Sequence, residues 1–252
     1  MMLYDDERLD YVNEKITLIQ KKQGLTFGTD AFLLAAYVKC TPKARAAELG
    51  AGTGIISLLL AAREKLGAIY AAEVQESFFD VTKRNIENNS FEGKIIPIHA
   101  DIRYIRPQDV GGELDVVFSN PPYMKTTSGK RNEADEKYIA RHEVKGDIDD
   151  FCAAAARLLK FGGRFYVVYR PDRICELISA MRAHSLEPKA MTFVHADEAS
   201  EPSMVLINAL KGGKPDIKVS APLMLHSASH EGGARELTEK AAKIYETLEF
   251  PL

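Results

Sequence analysis

The sequence predicts an α/β fold: a doubly wound, mostly parallel sheet with helices on both faces and helical additions at both ends. Three observations lead there. Strand-length apolar runs alternate with helical patterns through the middle of the chain, and that alternation requires crossover connections, which leave neighbouring strands parallel. A glycine-rich turn carries the first of these runs directly into a helix. The chain has 252 residues, 46% of them hydrophobic and 27% charged, enough to bury a large core without disulfide or metal staples.

Taken in order, residues 1–10 (MMLYDDERLD) are polar and acidic and lack the apolar core of a secretory signal. Residues 24–30 (GLTFGTD) lead into an apolar helical run, Ala31–Val38, for which Thr29 or Asp30 offers a short side-chain oxygen as N-cap. Strands are then expected at Arg45–Leu49, Ala68–Val74, Ile95–Ala100, Leu114–Ser119, Arg164–Tyr169, Ala190–His195 and Met204–Leu210. Helical patterns separate several of them, at Ile55–Lys65, Ser77–Asn88, Asp149–Leu159 and Arg173–Ala183. In Ser77–Asn88 the residues Phe78, Val81, Asn85 and Ile86 recur at helical spacing and make one face mostly apolar. No helical pattern divides the last two strand runs, so they read as a hairpin at one edge of the sheet. Residues 226–233 read as a loop, and a closing amphipathic helix aligns Leu237, Ala241, Ile244 and Leu248. The whole chain, 1–252, reads as one domain, with an N-terminal extension and helix (1–43), a core (44–211) and a C-terminal loop and helix (212–252).

Charge and cysteine usage narrow the function classes. Lys and Arg total 33 against 36 Asp and Glu, a formal net charge of −3, which excludes a strongly basic nucleic-acid binder. Any nucleic-acid contact must come from a local patch. Cys40, Cys152 and Cys175 are scattered, odd in number and never paired as CxxC, so neither a disulfide framework nor a metal site is expected. The most apolar stretch, Ile55–Ala62, is too short to span a bilayer. The expectation is a soluble, cytoplasmic protein with no membrane partner.

The first strand run ends in Glu48-Leu49-Gly50-Ala51-Gly52-Thr53-Gly54 and passes straight into a helix. A turn of this kind lets a ligand approach the backbone closely. The dinucleotide fingerprint G-x-G-x-x-G/A does not fit: counted from Gly50 its third position falls on Ile55, and counted from Gly52 it falls on Ser57. A carboxylate at Glu48 would also repel a pyrophosphate, whereas it would favour the ammonium and sulfonium of S-adenosylmethionine. Glu73, with Val74 after it, ends the second strand run and is placed to accept hydrogen bonds from both ribose hydroxyls. Asp101 follows the third and can accept from an adenine amino group, with Ile102 or Ala100 packing on the ring. The competing reading, a turn used only for strand–helix packing, does not account for acids at three successive strand ends. Residues Glu48–Gly54, Glu73 and Asp101 together resemble the class I S-adenosylmethionine-dependent methyltransferases. That resemblance implies a Rossmann-like, seven-stranded sheet with one antiparallel strand near its edge.

The fourth strand run ends in Asn120-Pro121-Pro122-Tyr123. Two consecutive prolines fix the backbone and remove two N–H donors. The Asn120 amide oxygen and the Pro121 carbonyl can then accept both hydrogens of a planar amino group, while Tyr123 supplies a face for stacking. No metal or strong base is required, since positioning and electrostatic complementarity carry the rate. In methyltransferases such a motif marks amino-group acceptors: adenine N6, cytosine N4, guanine N2 or a glutamine amide. Between Lys125 and Lys145 the chain places six basic residues (125, 130, 131, 137, 141, 145) against four acids, with Tyr123 and Tyr138 interleaved. Cations with stacking faces suit a nucleobase and its phosphates, although a solvated charged loop has the same composition.

Residues 24–30 ahead of an apolar helix, the Asn120–Tyr123 motif, residues 140–143 (ARHE) and residues 169–171 (YRP) resemble the bacterial tRNA adenine-N6-methyltransferases that act on valine tRNA beside the anticodon. The resemblance runs over nearly the whole chain. It implies that Phe27, Gly28, Thr29 and Asp30 close over the cofactor, and that Arg141, His142 and Arg170 sit near the substrate, while Lys125, Lys130 and Arg131 are substrate contacts expected from the cationic loop itself. His142 as a general base is not required, because the methylated amine can release its proton to water. The expected reaction is methyl transfer from S-adenosylmethionine to an adenine N6 in RNA, with tRNA as partner. The alternatives are a protein glutamine-amide methyltransferase, which ordinarily carries a separate N-terminal helical domain, and a catalytically inactive cofactor-binding module, which would not need an intact Asn120.

Overall fold

The computed structural model describes residues 3–22, 27–39, 41–64, 66–122, 146–227 and 236–250. In chain order, a two-stranded ribbon, β1 (Glu7–Asn13) and β2 (Ile16–Lys21), precedes α1 (Thr29–Tyr37). The core then alternates β3 (Arg45–Leu49), α2 (Ile55–Ala62), β4 (Ala68–Glu73), α3 (Glu76–Asn88), β5 (Ile95–His99) and β6 (Leu114–Ser119). It continues through α4 (Ile148–Leu158), β7 (Leu159–Tyr169), α5 (Ile174–Ala183), β8 (Leu186–His195) and β9 (Pro202–Lys211). Two short strands, β10 (Lys218–Val219) and β11 (Leu223–Met224), and α6 (Glu239–Thr247) follow.

Among the described residues the main sheet runs β10-β8-β9-β7-β6-β3-β4-β5, with β11 also on β8. Strands β3 to β7 pair in parallel, and β9 is antiparallel to both β7 and β8. The seven long strands and the antiparallel one near the edge match the Rossmann-like expectation, and β8–β9 is the anticipated hairpin. Side chains alternate between two apolar layers, as the period of a strand requires. Phe118, Tyr166 and Val168 face the layer under α1 and α2, whereas Val117, Phe165 and Val167 face the one under α4 and α5. Helix α2 buries seven of its eight residues, so its sequence is apolar all round rather than amphipathic.

Two expectations need correction. The N-terminal extension is not purely helical, because β1 and β2 form an antiparallel ribbon ahead of α1. Only Glu7 of its seven β1 residues is buried and Arg8, Leu9 and Tyr11 are exposed, which hid the strand among polar residues. Neither Thr29 nor Asp30 caps α1: both lie inside the helix, and Gly28 is the N-cap without a side-chain bond. One Asp30 oxygen takes the N–H of Ala31 within the first turn, and the other reaches beyond the helix.

Candidate active site

Parallel pairing brings the ends of β3, β4, β5 and β6 to one edge of the sheet, since Leu49 lies beside Ala72, Glu73 beside His99 and Glu48 beside Phe118. The crevice outside the carboxyl ends of such strands is where doubly wound sheets hold ligands. Gly50, Gly52, Gly54, Glu73, Asp101 and Asn120 all issue from it.

The glycine turn is bolted down from several directions. Gly50 and Ala51 donate to the Ala72 carbonyl at 3.0 and 2.9 Å. Gly52 donates to Glu73 Oε2 at 2.9 Å, its carbonyl accepts from Thr82 Oγ1 at 2.6 Å, and the Thr53 carbonyl accepts from Asn85 Nδ2 at 2.9 Å. Gly52 and Gly54 have φ of 58° and 78°, a region that disfavours side chains. A Cβ on Gly54 would also meet Thr82 Cγ2 at 3.1 Å, whereas one on Gly52 would meet nothing within 4 Å. The backbone at Gly52 therefore offers an open side to a ligand.

Glu73 is buried, and its Oε1 accepts from Gln75 N at 2.8 Å while Oε2 takes Gly52 N. Gln75 Nε2 also reaches Oε1, at 3.4 Å. A carboxylate oxygen has two lone-pair sites, so Oε2 keeps one for a hydroxyl, and a second hydroxyl on Oε1 would displace that long contact. Val74, next along, receives His99 Nε2 on its carbonyl at 3.0 Å. Asp101 is paired with Arg103 at 2.5 Å, and that guanidinium holds its carboxyl below the ordinary range. Arg157 braces the same turn by donating to the carbonyls of Ile102, Arg103 and Ile105. The Ile102 side chain itself is buried in the core layer of α4.

Glu48 behaves differently from the charge expected of it. It is 1% exposed, and its Oε2 accepts from both the N–H and the hydroxyl of Ser57 in α2. Burial pushes its carboxyl up to about 8, outweighing the Ser57 donors. Buried against Ser57 and raised in pKa, Glu48 carries neither the charge argument against a pyrophosphate nor the one for an ammonium and sulfonium, and glycine spacing alone excludes the dinucleotide fingerprint.

Ser119 ties the end of β6 to that of β3 by donating from Oγ to the Leu49 carbonyl at 2.7 Å. Asn120 follows, with its Nδ2 donating to Asp30 Oδ2 at 2.8 Å. Pro121 is buried and Pro122 half-buried. Phe27 is held through its N–H by Gln20 Oε1 of β2 at 2.9 Å, and Thr29 Oγ1 accepts from Tyr245 Oη of α6 at 3.0 Å. Of residues 27–30, Asp30 reaches the end of β6 through Asn120, while Phe27 and Thr29 are held by Gln20 and Tyr245. Arg170 follows β7 on the same edge of the sheet, in an ion pair with Asp172 at 2.5 Å. Tyr123, Lys125, Lys130, Arg131, Arg141 and His142 lie outside the described residues. The sequence reading passed over Gln20, Ser57, Thr82, Asn85, Arg157 and Tyr245. Of these only Asn85 carried a signal, as a polar residue on an otherwise apolar helical face.

The methyltransferase small domain family matches residues 21–185. The chain belongs to this family. Among curated relatives, a tRNA1(Val) (adenine(37)-N6)-methyltransferase of Phocaeicola vulgatus is 28% identical over 194 residues, covering 77% of this chain and 80% of the relative. One of the same name from Aliivibrio salmonicida is 25% identical over 204 residues, covering 81% and 84%. Among solved structures, a protein of Agrobacterium tumefaciens described as a predicted O-methyltransferase superposes with a TM-score of 0.70 at 22% identity, over 88% of this chain and 98% of that one. M. jannaschii TYW2, solved in complex with AdoMet, gives 0.55 at 15% identity, over 83% and 87%. The structural likenesses establish the methyltransferase fold. Among the described residues no helix is long and apolar enough to cross a membrane, and no cluster of three His, Cys, Asp or Glu could hold a metal ion.

Proposed function

We propose that this chain transfers a methyl group from S-adenosylmethionine to the exocyclic N6 of an adenine in tRNA, beside the anticodon. The observation that carries the reading is the Asn120 amide, held by Asp30 at the end of β6 on the same sheet edge as a glycine turn that is open at Gly52. The names of the relatives support the tRNA substrate.

The residues present fit the cofactor. Glu73 accepts ribose hydroxyls, the backbone at Gly50, Gly52 and Gly54 admits the chain of the amino acid, and Asp101 borders the base, the Ile102 side chain being turned into the core. Phe27, Gly28 and Thr29 border the site from the α1 side. S-adenosylmethionine supplies an electrophilic methyl group on a sulfonium. The protein's part is to present the nucleophile. Asn120 Oδ1 and the Pro121 carbonyl accept the two hydrogens of the adenine amine, which raises the donor power of its lone pair and aims it in line. Pro122 stiffens that turn, and Tyr123 stacks on the flipped base. One amine proton leaves to water after transfer. Lys125, Lys130, Arg131, Arg141, His142 and Arg170 contact the RNA. The chain acts as one methyltransferase domain, 1–252, and works in the cytoplasm.

Labelled methyl transfer into total RNA, DNA and protein, followed by nucleoside analysis, tests this. The expected label is N6-methyladenosine in tRNA. Label confined to protein glutamine would overturn the substrate assignment in favour of the amide methyltransferase reading.

A further inference from the structure

We infer that Asp30 is the positioning residue for Asn120, fixing which edge of its amide is presented to the acceptor amine. The inference rests on the acceptor reading above and extends it to a residue outside the Asn-Pro-Pro-Tyr motif. An asparagine amide has a donor edge and an acceptor edge of almost equal shape, so packing alone does not choose between its two orientations. A carboxylate does choose, because it accepts and cannot donate. Asp30 Oδ2 lies 2.8 Å from the Asn120 amide nitrogen. The NH2 edge is therefore locked toward α1, and the oxygen edge faces away from Asp30.

Asp30 is itself held in place. Its Oδ1 accepts from Ala31 N at 2.9 Å in the first turn of α1, where the helix dipole favours an anion. A Cβ on Gly28 would come to 3.0 Å from that same oxygen, so the missing side chain at 28 makes room for the carboxylate. Neighbouring residues are pinned by both terminal additions. Gln20 of the ribbon holds Phe27, and Tyr245 of α6 holds Thr29 and packs its ring against Phe32 at 5.3 Å. The two terminal segments thus brace the residues on either side of Asp30.

The test compares wild type, Asp30→Ala and Asp30→Asn in methyl transfer to tRNA and in cofactor binding by calorimetry. Side-chain amide NMR of Asn120, assigned from its loss in Asn120→Ala, runs alongside. Asp30→Ala is expected to lower kcat about a hundredfold while KM for tRNA and Kd for S-adenosylmethionine stay within about threefold. Asp30→Asn keeps an acceptor oxygen and is expected to recover part of the rate, and the Asn120 amide resonance should move in Asp30→Ala. Unchanged kcat overturns the inference. So does a rate loss matched by equal loss of cofactor affinity, which makes Asp30 a cofactor ligand instead. A wild type that methylates no tRNA contradicts the substrate reading alone. The Asn120 resonance still decides the positioning claim in that case, and its failure to move in Asp30→Ala overturns it.

Discussion

At the scale of single residues, environment decides what each acid does. Three carboxylates end successive strands, and the structure gives them different tasks. Glu73 secures the glycine turn, Asp101 is ion-paired with Arg103, and Glu48 is buried against Ser57. The last has a consequence for pH. Its carboxyl is raised from 4.5 to about 8 in the folded protein, so the folded state holds a proton that the unfolded chain releases earlier. Its stabilising contribution is complete below about pH 4.5 and is lost as pH rises toward about 8. Glu48→Gln, neutral at every pH, should flatten the fall in melting temperature across that window. Melting curves over the range check it, and an unchanged slope would show that Glu48 is ionised when folded.

At the scale of elements, α3 links the N-terminal ribbon to the glycine turn. Asn85 is buried and bonds the N–H and carbonyl of Ile19 in β2 and the carbonyl of Thr53 in the turn. A second tie runs from Arg84 to the buried Glu7 of β1, whose carboxyl is brought down to about 2 chiefly by that guanidinium. Asn85→Ala leaves three backbone groups short of partners and should cost about 3 kcal/mol in denaturant unfolding. It should also weaken S-adenosylmethionine binding, because Thr53 loses its anchor between Gly52 and Gly54. Wild-type stability with normal cofactor affinity would show that the ribbon and the turn are independent.

At the scale of the whole molecule, the parallel core was readable because strand runs such as Leu114–Ser119 are apolar, regular and followed by turn residues. Its candidate site was readable as contiguous motifs, because Gly50–Gly54 and Asn120–Tyr123 concentrate chemistry in adjacent residues. The ribbon was not, since β1 buries only Glu7 and shows no apolar run. Nor was the Asp30–Asn120 contact, which joins residues 90 positions apart. Patterns within a window cannot report a hydrogen bond set by sheet order. The central claim is that Asn120 holds an acceptor amine and does not hold the cofactor in place. Methyl transfer to tRNA and S-adenosylmethionine affinity, measured together in Asn120→Ala, test it most directly. The account predicts that transfer is abolished while affinity remains close to wild type; parallel loss of both would contradict it.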